Sequence, residues 1–211
     1  GDPAIFAQSH SSRPDWHFGE GPAPANTTDF TSVVLHEIGH GLNFFDFFNY
    51  EGGTGGYGFD FDGDGQIEGG ERSPGPFGRR LALKEDSGTL SSLTNEARFL
   101  NPSGTLGDAM TSKQLFFDGE DAIIGAKLGS GPTPPKIYAP SPFELGSSIA
   151  HLDEEAYPFE TQNALMTPAL NAAETNRQPG PIVCGQFRDM GWPLGPGCEQ
   201  YFRDLFAVSV Q

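Results

Sequence analysis

The sequence predicts an α+β domain with one central helix, a small sheet and many loops. Three observations lead there. One apolar run, residues 30–48, has helical spacing behind a cluster of capping residues. Few other stretches carry a clear period. Glycine and proline are abundant, 29 and 18 of 211 residues, and they are scattered without a repeat, which favours loops around modest regular structure. The length fits a single domain over residues 1–211.

Taken in order, residues 1–29 are polar and Pro-containing, with room for at most one short strand. Thr27, Thr28 or Asp29 can cap a helix that runs through Val33, Val34, Ile38 and Leu42. Gly41 and Asn43 weaken its end, and Asn tolerates the left-handed conformation. Residues 49–80 are a Gly-rich acidic insertion that excludes a continuous helix. Residues 81–100 read as one or two short amphipathic helices. Residues 113–128 read as one or two strands with a turn at Asp118-Gly119. A Pro/Ser/Gly loop follows over 129–148, then a turn-rich stretch from His151 to Pro168. A short helix is expected between Pro181 and Trp192.

The net charge is −16 and the isoelectric point near 4.4. Such a surface argues against nucleic acid or an anionic membrane as partner. No run approaches the ~20 apolar residues of a membrane span. The two cysteines, Cys184 and Cys198, flank a Gly/Pro-rich stretch, and a disulfide closing a 184–198 loop fits an oxidising compartment. The chain opens at Gly1 on polar, loop-like sequence, so removal of an upstream leader or pro-segment is expected; with the disulfide this fits a secreted, extracellular life.

The chemistry concentrates in His36-Glu37-Ile38-Gly39-His40. Histidines four apart on a helix share a face and can reach one metal ion, and imidazole suits zinc. Glu37 then sits where it can take a proton from a metal-activated water. A site with one open position needs a third protein ligand. Asp46, six residues after His40, and distant His151 both qualify; a neutral imidazole matches the first two ligands better. His10 and His17 have no partner pattern and are assigned structural roles.

HEIGHGLNFFD resembles the metzincin signature HExxHxxGxxH/D, with Asn43 at the glycine position and Asp46 at the third-ligand position. SSIAHLDEEAYPFETQNALMTP resembles the leishmanolysin-like form of that clan, where a long insertion separates the helix from a distant histidine and a methionine turn. The chain is also similar to secreted bacterial proteins carrying HEIGHGLGF, SHLDE, NALMTP and RDMGWP. The likeness touches residues 30–48 and 137–193. It implies a zinc endopeptidase acting on protein or peptide substrates, with Glu37 as general base and acid. His36, His40 and His151 would be the ligands, and Met166 the methionine under them. It also implies a small sheet before the helix, for which only about 30 residues are present. Tyr157, between His151 and Met166, reads as a packed loop residue rather than a catalytic one.

A second constellation runs from Asp60 to Glu71. Asp60, Asp62 and Asp64 take positions 1, 3 and 5 of a twelve-residue calcium loop, and Gly65 the sharp turn. Gln66 can offer its backbone carbonyl, Glu68 a water-mediated contact and Glu71 a bidentate carboxylate. The flanks are too Gly-rich for the helices of an EF-hand, so calcium is expected to order the loop rather than signal. Asp118-Gly119-Glu120-Asp121 and Asp153-Glu154-Glu155 read as solvated turns. The reading from a different class is a calcium-stabilised extracellular binding, adhesion or structural module built on an inactive peptidase fold. Glu37 speaks against it, since a scaffold that only binds metal does not need that acid.

Overall fold

The computed structural model describes residues 15–129 and 131–207, with side chains to Arg203 at the C-terminal end. His10 lies outside the described residues. Within them the chain combines five α-helices with small sheets.

The first helix, α1, spans Phe30–Gly41. Of the three candidate caps Asp29 is used: its Oδ2 accepts from Ser32 N at 2.9 Å and from Ser32 Oγ at 2.7 Å. The helix ends in a Schellman turn. Asn43 takes φ 70°, Asn43 N donates to His40 O at 3.0 Å, and Phe44 N donates to Gly39 O at 3.1 Å. The segment before α1 holds β1 (Trp16–His17) and β2 (Thr28–Asp29), a two-residue parallel pair. The substantial sheet therefore follows the central helix.

After α1, β3 (Phe48–Glu51) and β4 (Thr54–Tyr57) form a hairpin. Its two-residue turn, Gly52-Gly53, has φ 54° and 87°, a conformation that glycine adopts without a Cβ clash. The main sheet has the order β6-β5-β7, with β5 at Leu81–Lys84, β6 at Leu90–Ser92 and β7 at Leu115–Phe117. Residues 81–100 are thus not helical. Gly88 takes φ 85° and donates to Glu85 O at 2.7 Å, turning the chain back on itself. Leu81 and Leu83 then pair with β7, where burial between neighbouring strands outweighs a helical period.

The converse correction applies to 113–128. Only Leu115–Phe117 is strand, and Glu120–Leu128 is a helix, α3. The signal that decides it lies about 70 residues away. Asp189 Oδ1 and Oδ2 accept from Asp121 N (3.1 Å) and Ala122 N (2.9 Å), satisfying the helix start from outside. The short α2 (Gly104–Met110) is capped by Ser103, whose Oγ accepts from Leu106 N at 3.1 Å.

The C-terminal part holds α4 (Gly180–Asp189), in the expected helical stretch, and α5 (Pro196–Ala207), beyond it. Helices α3 and α4 touch closely. A Cβ on Gly125 would stand 2.2 Å from Pro181 O, and one on Gly185 would stand 2.4 Å from Asp121 O. Cys184 and Cys198 form a disulfide joining α4 to α5.

Beyond β7 the sheet continues as irregular extended chain. Ile137 N donates to Leu115 O (2.9 Å), Tyr138 N to His151 O (2.9 Å), and Leu152 N to Met166 O (2.8 Å). Residues 135–139, 149–153 and the turn at Ala164–Met166 therefore line up beside the sheet. Phe44, Phe77, Leu81, Phe117, Ile137, Leu152 and Met166 belong to one buried core. This stack brings a residue more than a hundred positions downstream against α1. Among the described residues no helix is long and apolar enough to cross a membrane.

Candidate metal centre

His36 and His40 lie one turn apart on α1, and His151 arrives from the irregular edge of the sheet. Their Nε2 atoms converge: His36–His40 at 3.0 Å, His40–His151 at 3.2 Å and His36–His151 at 3.2 Å. Each ring is held from behind. His36 Nδ1–H donates to Leu165 O at 2.7 Å, His40 Nδ1–H to Phe44 O at 3.0 Å, and His151 Nδ1–H to Ser147 O at 2.8 Å.

A carbonyl oxygen only accepts, so each Nδ1 must carry the proton. In the neutral rings each Nε2 is then a bare lone pair. Three lone pairs facing one another at these distances repel, and a cation between them removes the conflict. Burial, followed by the neighbouring His40, pushes the His36 pKa down. Burial, followed by His36 and His40, pushes that of His151 well below its ordinary value. Both effects favour the neutral, ligating form. The three histidines can together hold a metal ion.

The anchoring carbonyls are what sequence reasoning missed, because a backbone oxygen carries no residue signature. Phe44 O is aimed by the left-handed turn at Asn43. Leu165 O comes from the Ala164–Met166 turn, whose Met166 side chain is fully buried against the same helix. A Cβ on Gly39 would stand 2.6 Å from Met166 Sδ. Gly39 therefore leaves the groove between the two helical histidines that the methionine fills.

Glu37 is half-buried on α1 between the two histidines in sequence. Asp46 is not in the cluster. The turn at Asn43 leads the chain away from the helix axis, and the Asp46 carboxylate organises another loop. Its Oδ2 accepts from Gly78 N at 2.7 Å and its Oδ1 from Phe47 N at 2.7 Å. Burial pushes its pKa up despite these bonds. Tyr157 is packed in the core and its Oη accepts from Lys136 N at 3.1 Å; burial pushes its pKa up to about 12. His17 bonds to Gly21 O at 3.1 Å, a local structural contact.

The acidic loop presents a second group. Carboxylate oxygens of Asp60, Asp62 and Glu71 lie within 4.8 Å of one another. Asp60 also accepts from Gly63 N (2.6 Å) and Gly65 N (2.9 Å), and Glu71 Oε1 accepts from Phe61 N (2.7 Å). Asp64 and Glu68 stand outside the group, Asp64 Oδ1 accepting instead from Gln66 N at 2.8 Å. A strand precedes the loop and a 3₁₀ turn, Gly69–Arg72, closes it, so helices do not flank it. Asp153, expected in a solvated turn, is buried and ion-paired to Lys136 at 3.3 Å.

No known family model matches the chain, and no match was found among curated proteins or among solved structures.

Proposed function

We propose that the protein is a zinc-dependent endopeptidase, exported to an oxidising environment, with His36, His40 and His151 as metal ligands and Glu37 as the proton-transfer residue. The observation that carries this reading is the convergence of three Nε2 lone pairs, each committed by its own Nδ1–H···O=C bond. Ligands of a tetrahedral zinc at ~2.0–2.1 Å lie roughly 3.4 Å apart. The observed 3.0–3.2 Å needs little adjustment. Three imidazoles leave a fourth position open, as in catalytic rather than structural zinc sites.

The metal, when bound, supplies a Lewis acid that acidifies water and polarises the scissile carbonyl. The chain's own residues do the rest. Glu37 accepts a proton from the attacking water and later delivers it to the leaving amine nitrogen. Leu165, Phe44 and Ser147 carbonyls hold the imidazoles in one tautomer and orientation, and Met166 fills the space below them. In the same reading, Asp60, Asp62 and Glu71 hold calcium, a hard cation suited to carboxylate oxygen, and thereby order the 49–80 insertion. The disulfide supports the extracellular assignment.

The test is cleavage of casein, with and without a chelator, by wild type and Glu37→Gln. Wild type should cleave, the chelator should stop it, and zinc should restore it. Glu37→Gln should keep its metal and lose roughly 10²–10⁴-fold in rate. Undiminished cleavage by Glu37→Gln sinks the mechanism. A folded, zinc-loaded wild type that cleaves no protein substrate leaves the binding-module reading in its place.

A further inference from the structure

His151 is the one ligand of the three that no regular element carries. Its ring orientation depends on Ser147 O, which lies in a partly exposed turn within the Pro/Ser/Gly stretch before it. The turn is built on Glu144. Ser147 N and Ser148 N donate to Glu144 O at 3.1 and 2.8 Å, and Glu144 N donates to Ser148 Oγ at 2.9 Å. Phe143 stacks on Tyr50 with ring centroids 4.9 Å apart, and a side-chain bond also ties the turn to the sheet: Tyr138 Oη donates to the Glu144 carboxylate at 3.0 Å.

Tyr138 also holds the other side of His151. Its backbone N–H donates to His151 O at 2.9 Å, and its carbonyl accepts from Ile149 N at 2.8 Å. A closed circuit results, from the Tyr138 hydroxyl through Glu144 and Ser147 to the His151 ring, and back through the His151 carbonyl to the Tyr138 backbone. Inside it sits Ile149, buried with φ 73°. A β-branched residue in that region is strained and persists only where its surroundings fix it. Tyr138 is well suited to the task. Its backbone lies between buried Ile137 and Ala139. Burial, and then the Glu144 carboxylate, push its pKa up to about 12, so its hydroxyl remains a donor at any working pH.

We propose that Tyr138 and Glu144 are positioning residues for the third metal ligand, locking the turn whose Ser147 carbonyl fixes the tautomer and aim of His151. This rests on reading the three histidines as a metal centre. Neither residue belongs to the histidine cluster itself. Groups that orient a ligating histidine through its second nitrogen influence metal affinity about 10–100-fold.

The experiment is zinc affinity, by chelator competition, in wild type, Tyr138→Phe, Glu144→Ala and Glu144→Gln, with the melting temperature of each metal-free protein alongside. Tyr138→Phe and Glu144→Ala, which act on His151 through Ser147 O, should bind zinc about tenfold more weakly, the low end of the range for a direct partner. Glu144→Gln, which keeps an acceptor oxygen, should recover affinity to within about threefold of wild type. A purely structural role would lower the metal-free melting temperature and leave affinity alone. Because Glu144 is exposed, its alanine variant decides the matter if Tyr138→Phe fails to fold. Wild type that takes up no zinc removes the metal reading and this one with it. Wild type that binds, with Tyr138→Phe and Glu144→Ala binding within about twofold of it, overturns the positioning role alone.

Discussion

Asp29 shows how one side chain can start a helix and fasten it to the rest of the chain. It is fully buried, caps α1 through Ser32, and pairs with Arg177, whose Nε lies 3.0 Å from its Oδ2. Arg177 also donates to Glu20 O at 2.6 Å and Gly19 O at 2.7 Å, tying the N-terminal segment to α1. Burial alone would raise the Asp29 pKa; the Arg177 and Ser32 bonds outweigh it and bring it down to about 2. A carboxyl with a lowered folded-state pKa adds stability above its unfolded value, ~3.9, and loses it as pH falls toward 2. Acid unfolding should therefore lose a component between pH ~4 and ~2 in Asp29→Asn, and Asp29→Ala should cost about 2–4 kcal/mol at pH 7. Denaturant melts across that pH range check both; a parallel pH profile for wild type and Asp29→Asn would contradict the assignment. At this scale the sequence was informative where interactions are local. His36, Glu37 and His40 share five residues, and Asp29 stood among three candidate caps. Arg177, 148 positions away, gave no sign.

The same boundary between local and distant appears among the elements. The helix α1 was legible because its apolar period and cap are its own. The helix α3 reads as strand from sequence because Asp189, at the end of α4, supplies the partners for its first N–H groups. The hairpin of β5 and β6 reads as helix from sequence because strand pairing with β7 decides it. The acidic loop was legible as a spacing, and the structure narrows its carboxylate group to Asp60, Asp62 and Glu71. The Gly65 and Gly63 backbone N–H groups help hold the Asp60 pKa below its ordinary value, so it stays charged. Calcium at ~100-fold above its dissociation constant should raise the melting temperature by about 5–10 °C. Asp60→Asn should abolish that shift while leaving the zinc content unchanged. A wild-type melt indifferent to calcium would leave the loop as a hydrogen-bonded acidic turn.

Across the whole molecule, the three histidines meet because the sheet keeps going after its regular strands end. From β6 through β5 and β7, then residues 135–139 and 149–153, hydrogen bonds run without a break to the Met166 carbonyl. Met166 in turn lies against Gly39 of α1. The far end of α1 is closed by Trp192, whose Nε1 donates to Leu42 O at 2.9 Å. The late RDMGWP segment thus supplies both the external cap of α3, through Asp189, and the tie to α1, through Trp192. None of this architecture is periodic, so the sequence showed its parts and not its continuity. It also leaves Asp46 and His151 as rival candidates, since a position's distance from the His36–His40 pair is fixed only by the folded path. Zinc content by elemental analysis of wild type, His151→Ala and Asp46→Ala tests that path most directly. One zinc per chain is expected in wild type, lost in His151→Ala and retained in Asp46→Ala. Zinc kept in His151→Ala and lost in Asp46→Ala would contradict it, as would a folded wild type that takes up no zinc when supplied with it.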